Sequence, residues 1–219
     1  MGLEYEFEDG WMIIVVLSFK GGVSKTITAI HVAELLSQHK GRKVVLGDGD
    51  AIRTALNWYK RGLASDHKVG FTVFDGDEPP PAGFTDLVID TPGNPNEDEL
   101  TQLANAADFL IIPTSCSPAA IEATIQTLTQ FKELTPDRYR VLLSLVPPRP
   151  SRRGERVQQA LAQASIPTFT QTIQRRDCYL DAELAGCTVS MLPGKAAVGA
   201  AGEWEAVGAE LWKLTKSIR

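Results

Sequence analysis

The 219-residue sequence predicts a single α/β domain, in which a mostly parallel, twisted sheet carries helices on both faces. Its short apolar runs do not alternate with polar residues, which is the pattern of strands that are buried on both sides. Stretches with helical spacing separate these runs. With 43% hydrophobic residues, a chain of this length can form one substantial core.

Each strand is expected from a short apolar run, and most of these runs end at Asp, Gly or Pro. The expected strands cover residues 11–17, 43–46, 69–74, 87–89, 109–112, 141–146 and 169–173. Helices are expected where apolar residues recur three or four positions apart, as at Ile121, Ile125 and Leu128. They cover residues 26–38, 52–62, 119–134, 152–164, 176–184 and 204–218. The proline-rich stretch 75–83 is expected to be a loop.

The remaining composition limits the class of protein. Residues 1–11 are acidic and precede the first strand, so we expect a poorly ordered extension before a domain that covers 12–219. No apolar run reaches the roughly 18 residues that cross a bilayer. The cysteines lack metal-ligand spacing and indicate reduced thiols, which favours a cytoplasmic protein.

The segment Lys20–Thr26 (KGGVSKT) is the most informative motif. It lies between an apolar run and a helical pattern, so it predicts a strand, a tight turn and a helix N-terminus. The backbone N–H groups of such a turn bind anions, because the positive end of the helix dipole faces them. In this arrangement Lys25 reaches the β- and γ-phosphates and the Thr26 hydroxyl binds Mg²⁺. The motif therefore predicts a site for a nucleoside triphosphate.

Asp90 is the candidate for a second metal ligand. It closes the apolar run 87–89 and is followed by Thr91, Pro92 and Gly93. A carboxylate at the end of a buried strand, beside a phosphate-binding loop, holds Mg²⁺ directly or through water. The alternative is an aspartate that only caps the following segment.

The phosphate-binding motif departs from the generic G-x-x-x-x-G-K-[ST] pattern, since Phe19 and Ser24 stand where that pattern has glycines. The form K-G-G-x-x-K-T, opened by Lys20, resembles the deviant Walker A motif of the ParA/MinD family of P-loop ATPases. The resemblance covers residues 12–219 and is closest to the small plasmid-partition ATPases of ParA/ParF type. If Ser24 must adopt a positive φ, a residue with a side chain there costs about 1–2 kcal/mol.

The resemblance implies roles for individual residues. Lys20 would cross a dimer interface to the nucleotide of the partner, and Lys25 and Asp50 would complete the catalytic set, with Asp50 orienting the attacking water. Asp48 would support the metal with Thr26 and Asp90. Asp50 as the N-cap of a helix that begins at Ile52 is the alternative. The residues expected to contact the nucleotide are Gly21, Gly22, Val23, Ser24, Lys25, Thr26, Ile27, Pro148 and Gln174.

The same resemblance implies a nucleotide-gated switch that uses ATP and Mg²⁺. In that family ATP joins two subunits into a homodimer, the dimer binds DNA without sequence preference, and an adaptor protein of ParB or ParG type on the cargo stimulates slow hydrolysis. The expected location is the cytoplasm, on the nucleoid. The cargo stays open between a plasmid, a chromosome and a protein compartment such as a carboxysome.

Charge favours DNA contact by the C-terminal part. Residues 1–139 carry 11 basic and 20 acidic residues, whereas residues 140–219 carry 11 and 7. A local basic surface binds phosphate even on an acidic protein, although solubilising arginines are the alternative. The candidate DNA-binding residues are Arg152, Arg153, Arg156, Lys213, Lys216 and Arg219.

Two other functions remain open at this point. A nucleotide-gated DNA-binding scaffold with negligible hydrolysis is suggested by Ser24 and by the absence of Pro-Gln after Asp50. A membrane-associated ATPase of MinD type would use the apolar stripe of the terminal helix, which includes Trp204, Val207 and Leu211, as an anchor. We expect instead that this stripe packs in the core and that the protein does not bind a membrane.

Overall fold

The sheet contains six parallel strands in the order β3-β2-β4-β1-β5-β6, which confirms the predicted fold class. The computed structural model describes residues 12–18, 20–92, 97–131 and 134–216. The expected N-terminal extension 1–11, together with Phe19, Gly93 and Arg219, lies outside these ranges. The strands are β1 (Met12–Val16), β2 (Val44–Asp48), β3 (Phe71–Asp75), β4 (Asp86–Asp90), β5 (Phe109–Thr114) and β6 (Tyr139–Leu143).

Helices cover both faces of the sheet. The helices are α1 (Lys25–Ser37), α2 (Thr54–Ala64), α3 (Glu97–Ala106), α4 (Pro118–Gln130), α5 (Arg153–Gln163), α6 (Cys178–Ala185) and α7 (Lys195–Lys216), with a 3-10 turn at Val189–Met191. Alternate residues of β1 point to opposite faces. Ile14 and Val16 pack against α1, α2, α6 and α7, whereas Ile13 and Val15 pack against α3, α4 and α5.

The terminal helix belongs to the core. Trp204, Val207 and Leu211 are each at most 2% exposed and form part of the first core cluster. The expected core-packing role of this stripe is therefore confirmed. In the described ranges, no helix has both the length and the apolar character that crossing a bilayer requires.

The predicted strand at 169–173 is wrong. The segment runs beside β6 and the residues that follow it; isolated bridges join Thr168 to Val141 of β6 and Gln174 to Val146, without a continuous ladder. Side chains from two helices take the backbone groups between these bridges: Gln158 donates to the carbonyl of Phe169, and Glu210 accepts from the N–H of Thr170. Because these groups already have partners, a regular strand does not form.

Some helix boundaries also differ from the prediction. Helix α3 was not expected, since its sequence is mainly polar and its apolar positions are few. Helix α7 begins at Lys195, nine residues before the predicted start. The prediction missed its first turns because they are rich in alanine and glycine and show no apolar stripe. Helix α2 begins at Thr54 and not at Ile52. The other predicted elements are present, with ends shifted by a few residues.

Candidate functional site

The loop between β1 and α1 forms a tight turn at the carboxyl edge of the sheet. Gly22 has a φ of 73° and Ser24 a φ of 69°, so the backbone turns sharply just before α1 begins at Lys25. The N–H of Lys20 donates to the Ser18 hydroxyl over 3.2 Å, which ties the start of the loop to the end of β1. The strand, the turn and the helix lie as the motif predicts.

Ser24 meets the condition under which a non-glycine residue is costly. Its φ of 69° and ψ of 32° are left-handed, and its side chain makes no capping hydrogen bond. Its carbonyl accepts from the N–H of Thr28 at 2.9 Å and from the Thr28 hydroxyl at 2.8 Å. The first turn of α1 is thus held by the backbone of Ser24 and not by its hydroxyl.

Lys25, Thr26 and Asp90 come together beside this loop. Lys25 is only 7% exposed, and burial lowers its pKa, while the carboxylates of Asp90 and Asp50 act in the opposite direction. Asp90 is fully buried at the end of β4. Strand β4 lies next to β1 in the sheet, which is why its last residue faces the loop that follows β1.

The carboxylate of Asp90 is unusual because it is buried without a bonded partner. Neither oxygen has a hydrogen bond of normal geometry within the described part of the chain. Burial raises the pKa of Asp90 to about 7; the nearby Thr26 hydroxyl and Lys25 oppose this shift, and Asp48 and Asp50 add to it. Such a group is costly unless something binds it.

Asp48 is bound by backbone amides. One carboxylate oxygen accepts from the N–H of Leu56 at 2.9 Å, in the first turn of α2, and the other accepts from the N–H of Asp50 at 3.1 Å. Burial raises the pKa of Asp48, and these two N–H groups oppose the shift. Asp48 therefore fixes the start of α2, and a role at the metal stays a prediction.

The alternative that Asp50 caps a helix starting at Ile52 is wrong. Asp50 accepts from the N–H of Ile52 at 3.0 Å, which closes a turn within the loop, and the helix begins only at Thr54. Asp48, two residues earlier, bonds to the first helical turn instead. The carboxyl group of Asp50 thus stays half-buried at the rim of the phosphate loop.

Ser144 supports the phosphate loop, a role that the sequence did not predict. Its buried hydroxyl is 3.0 Å from the carbonyl of Val23 in the phosphate loop and 3.2 Å from the carbonyl of Thr114 at the end of β5. Leu145 follows with a φ of 52° and lines the same cavity as the loop. Only the apolar run before Ser144 could have pointed to it, because a lone serine carries no motif.

A cavity of about 400 Å³ opens beside the phosphate loop, between α1, α2 and α6. Its lining combines the loop with Lys25, Thr26 and Asp50, and it also includes the aromatic side chains Trp58 and Tyr179. Of the other predicted nucleotide contacts, Ile27 lines this cavity, and Val23 is buried behind the loop.

The last two predicted nucleotide contacts, Pro148 and Gln174, lie outside this cavity. Pro148 is exposed after β6, and Gln174 is half-buried beside Val146; neither lines the cavity. The segment around Gln174 is fixed by Glu203 of α7, which accepts from the N–H of Gln174 at 3.0 Å and pairs with Arg176. Nucleotide contact by Pro148 and Gln174 stays a prediction.

The candidate DNA-binding residues separate into two groups. Arg152, Arg153 and Arg156 are exposed at the start of α5, on the edge that carries the phosphate loop, and Arg152 pairs with Glu155 at 2.9 Å. Lys213 and Lys216 are exposed near the end of α7. The structure does not join these groups into one surface, because α5 and the end of α7 lie at opposite edges of the sheet.

Comparison with known proteins gives the family. Residues 14–195 match the CobQ/CobB/MinD/ParA nucleotide binding domain. The Maintenance of carboxysome distribution protein A of Gloeobacter kilaueensis is 30% identical over 206 residues, which cover 91% of this chain and 93% of that protein.

Solved structures show the same fold. Apo McdA from Cyanothece has a TM-score of 0.70 at 19% identity and covers 92% of this chain and 99% of its own. A ParA family ATPase from Chlorobium tepidum TLS has a TM-score of 0.69 at 15% identity, covering 93% of this chain and 100% of its own. With its phosphate loop, the buried Asp90 and the match over residues 14–195, the chain belongs to the CobQ/CobB/MinD/ParA family of nucleotide-binding domains.

Proposed function

We propose that this protein is an Mg²⁺-dependent ATPase that works as an ATP-gated switch. With ATP bound, two copies form a dimer that binds DNA without sequence preference, and an adaptor protein on a cargo stimulates slow hydrolysis. One observation carries the proposal: the buried ammonium of Lys25 and the unpartnered carboxylate of Asp90 meet beside a loop of anion-binding geometry.

The residues present fit Mg²⁺. The two oxygens of Asp90 lack hydrogen bonds in the described structure, and the Thr26 hydroxyl is close enough to lower the pKa of Asp90. Hard oxygen donors of this kind suit Mg²⁺, which usually takes one or two protein ligands together with phosphate oxygens and water. When bound, the ion neutralises charge that develops on the β- and γ-phosphates. Asp90 and Thr26 would hold it.

The chain's own residues supply the remaining functions. The loop amides receive the phosphates, and Lys25 gains anionic partners there that keep it protonated despite its burial. Lys20 is exposed at the start of the loop, where it can reach a nucleotide held by a second copy. Asp50 lies on the rim of the cavity, and we assign to it the orientation of the attacking water.

The relatives suggest the cargo. The protein that is 30% identical is named for the maintenance of carboxysome distribution. This favours a carboxysome over a plasmid or a chromosome. Two exposed basic groups, at α5 and at the end of α7, support binding to DNA as the track on which such a cargo would be positioned.

A second function, a nucleotide-gated scaffold with negligible hydrolysis, is supported by Ser24. Its left-handed backbone carries a side chain where the generic motif has glycine. A loop of that kind can hold phosphates through its amides and yet place them poorly for attack by water. The two functions share ATP binding and differ only in turnover.

Isothermal titration calorimetry with ATP and Mg²⁺ tests the shared step. We expect binding by the wild-type protein, loss of binding in Lys25→Ala, and loss of the dependence on Mg²⁺ in Asp90→Asn. Lys68→Ala is the matched control, since Lys68 is an exposed lysine whose ion pair among the described residues is with exposed Asp66. Binding that survives in Lys25→Ala would contradict the proposal.

Single-turnover hydrolysis of radiolabelled ATP then separates the two functions. Phosphate release in the presence of DNA and adaptor, lost in Asp50→Ala, supports the ATPase. ATP binding without any release would leave the scaffold as the function.

A further inference from the structure

The ends of α1 and α7 meet at the edge of the sheet opposite to the phosphate loop. His39, just after α1, stacks on Trp212 of α7 with ring centroids 3.6 Å apart and an interplanar angle of 10°. The following loop leads through Lys40 and Lys43 to the amino end of β2. Because all strands are parallel and the phosphate loop follows the carboxyl end of β1, the two features lie at opposite edges.

Positive charge is concentrated around this stack. The guanidinium carbon of Arg42 lies 5.4 Å from the centroid of the Trp212 ring, and Nζ of Lys216 lies 5.2 Å from it. Asp86, a buried acid of β4, pairs with Arg42 at 3.4 Å. Four exposed lysines next to these residues in the sequence form no ion pair with any described residue: Lys40 follows His39, Lys43 follows Arg42, Lys213 follows Trp212, and Lys216 lies one turn further along α7. We call these four lysines the α1–α7 basic surface.

We propose that the α1–α7 basic surface binds the phosphate backbone of double-stranded DNA, and that binding is coupled to protonation of His39. The proposal rests on the DNA binding proposed above and gives it a place and a regulator. It moves the contact away from Arg152, Arg153 and Arg156, and it adds Lys40 and Lys43.

The arrangement of Trp212 favours a duplex over other polyanions. His39 covers one face of the ring, and two cations lie close to it, so the ring is not presented for stacking by an unpaired base or for insertion between lipids. What the surface offers is flexible ammonium groups, which bind phosphates without reading bases.

The electrostatics of His39 provide the coupling to pH. Three charged groups face its ring: Lys216 from α7, Arg42 from its own loop and Asp86 from β4. Burial, Arg42 and Lys216 lower the pKa of His39, and Asp86 opposes them. A DNA phosphate among these cations weakens their repulsion of an imidazolium, so binding raises the pKa of His39. Binding then takes up a proton, and affinity increases as the pH falls.

The other two histidines make this testable. His31 is buried, with its Nδ1 2.8 Å from the carbonyl of Ile27. His67 contacts the carbonyl of Ala185 near α6, away from the basic surface. His67→Gln is therefore a matched control for His39→Gln.

The test measures the anisotropy of a labelled random-sequence duplex with the full-length protein, Mg²⁺ and ATP, at several salt concentrations. We expect the double variant Lys40→Glu with Lys43→Glu to bind at least about tenfold more weakly and to have a salt slope lower by about 1.8, since each phosphate contact contributes roughly 0.9. The control is Lys60→Glu with Lys68→Glu, two exposed lysines near α2, which should bind as the wild type does.

From pH 8 to pH 6, wild-type affinity should rise, by at most about tenfold per pH unit for one proton. This rise should disappear in His39→Gln and persist in His67→Gln. An unchanged pH dependence in His39→Gln would overturn the coupling.

Three other results would contradict the proposal that the α1–α7 basic surface binds DNA. If the Lys40 and Lys43 variant binds normally while charge reversal at Arg152, Arg153 and Arg156 abolishes binding, DNA lies at α5, and the proposed function survives. If the wild type binds ATP but no duplex, the DNA part of the proposed function fails as well. If these lysines bind phosphatidylglycerol vesicles and not DNA, the ligand is a membrane.

Discussion

Replacing Ser24 by glycine should stabilise the protein, because it removes a side chain from a left-handed position. The left-handed conformation costs a residue with a Cβ about 1–2 kcal/mol. The side chain of Ser24 makes no capping hydrogen bond, and the carbonyl that binds Thr28 is retained in glycine. Glycine adds freedom to the unfolded chain, which costs about 0.4–1 kcal/mol. The expected net gain is about 1 kcal/mol, or a rise of about 2–4 °C in Tm for a chain of this size.

Urea denaturation without nucleotide measures this gain. Ser24→Ala keeps the Cβ and should leave the free energy of unfolding within about 0.5 kcal/mol of the wild type. Gly22→Ala is the reverse experiment: Gly22 has a φ of 73°, and a Cβ added there would have no atom within 4 Å, so any loss comes from backbone conformation alone. A Ser24→Gly variant less stable than the wild type would refute the reasoning.

Three further substitutions probe the framework of the site, each by urea denaturation. Asp48→Asn should cost about 2 kcal/mol, equally with and without Mg²⁺, because the amide keeps one acceptor oxygen for the N–H groups of Leu56 and Asp50 and sets its NH₂ against the other. The pKa of buried His31 is lowered from 6.5, so the wild type should lose up to about 1.4 kcal/mol per pH unit below that value; His31→Phe should lose less. Gly62→Ala should cost about 1–3 kcal/mol, since its Cβ would lie 2.2 Å from the carbonyl oxygen of Gly186, whereas Gly202→Ala meets nothing and should not destabilise.

Local sequence patterns were sufficient to predict most strands and helices. They failed where contacts with distant residues determine the local structure. The buried strands around Ile14 and Val88 are apolar throughout, so their type follows from the sequence. The segment 169–173 has the same apolar character, but Gln158 and Glu210 bind its backbone from other helices. Contacts of that range leave no trace in a local pattern, and the extra strand was predicted for this reason.

The same distinction between local pattern and distant contact applies to the residues of the candidate site. Lys25 and Thr26 could be chosen from the motif of the loop after β1, and Asp90 because it closes an apolar strand. Both features lie at the carboxyl edge of a parallel sheet. The link from Ser144 to Val23 depends on two segments more than a hundred residues apart, and no spacing announces it. The sequence also did not predict that Asp48 binds the first turn of α2 while Asp50 only closes a turn in the loop, since either carboxylate can reach a nearby N–H and only the path of the loop selects one.

The sheet order explains why Asp90 is the carboxylate that lacks a partner. Strands β2 and β4 are neighbours, and their register sets Asp48 directly beside Asp90, so two buried acids face the same edge. Burial raises the pKa of Asp90, and the neighbouring Asp48 carboxylate adds to this shift, because a like charge disfavours ionisation. Asp48 has two backbone N–H donors, whereas the backbone next to Asp90 is used differently: its carbonyl accepts from the N–H of Gly49 at 2.9 Å. The fold therefore stabilises the charge of Asp48 internally and leaves the carboxylate of Asp90 without such donors among the described residues. This is the carboxylate to which we assign the proposed Mg²⁺.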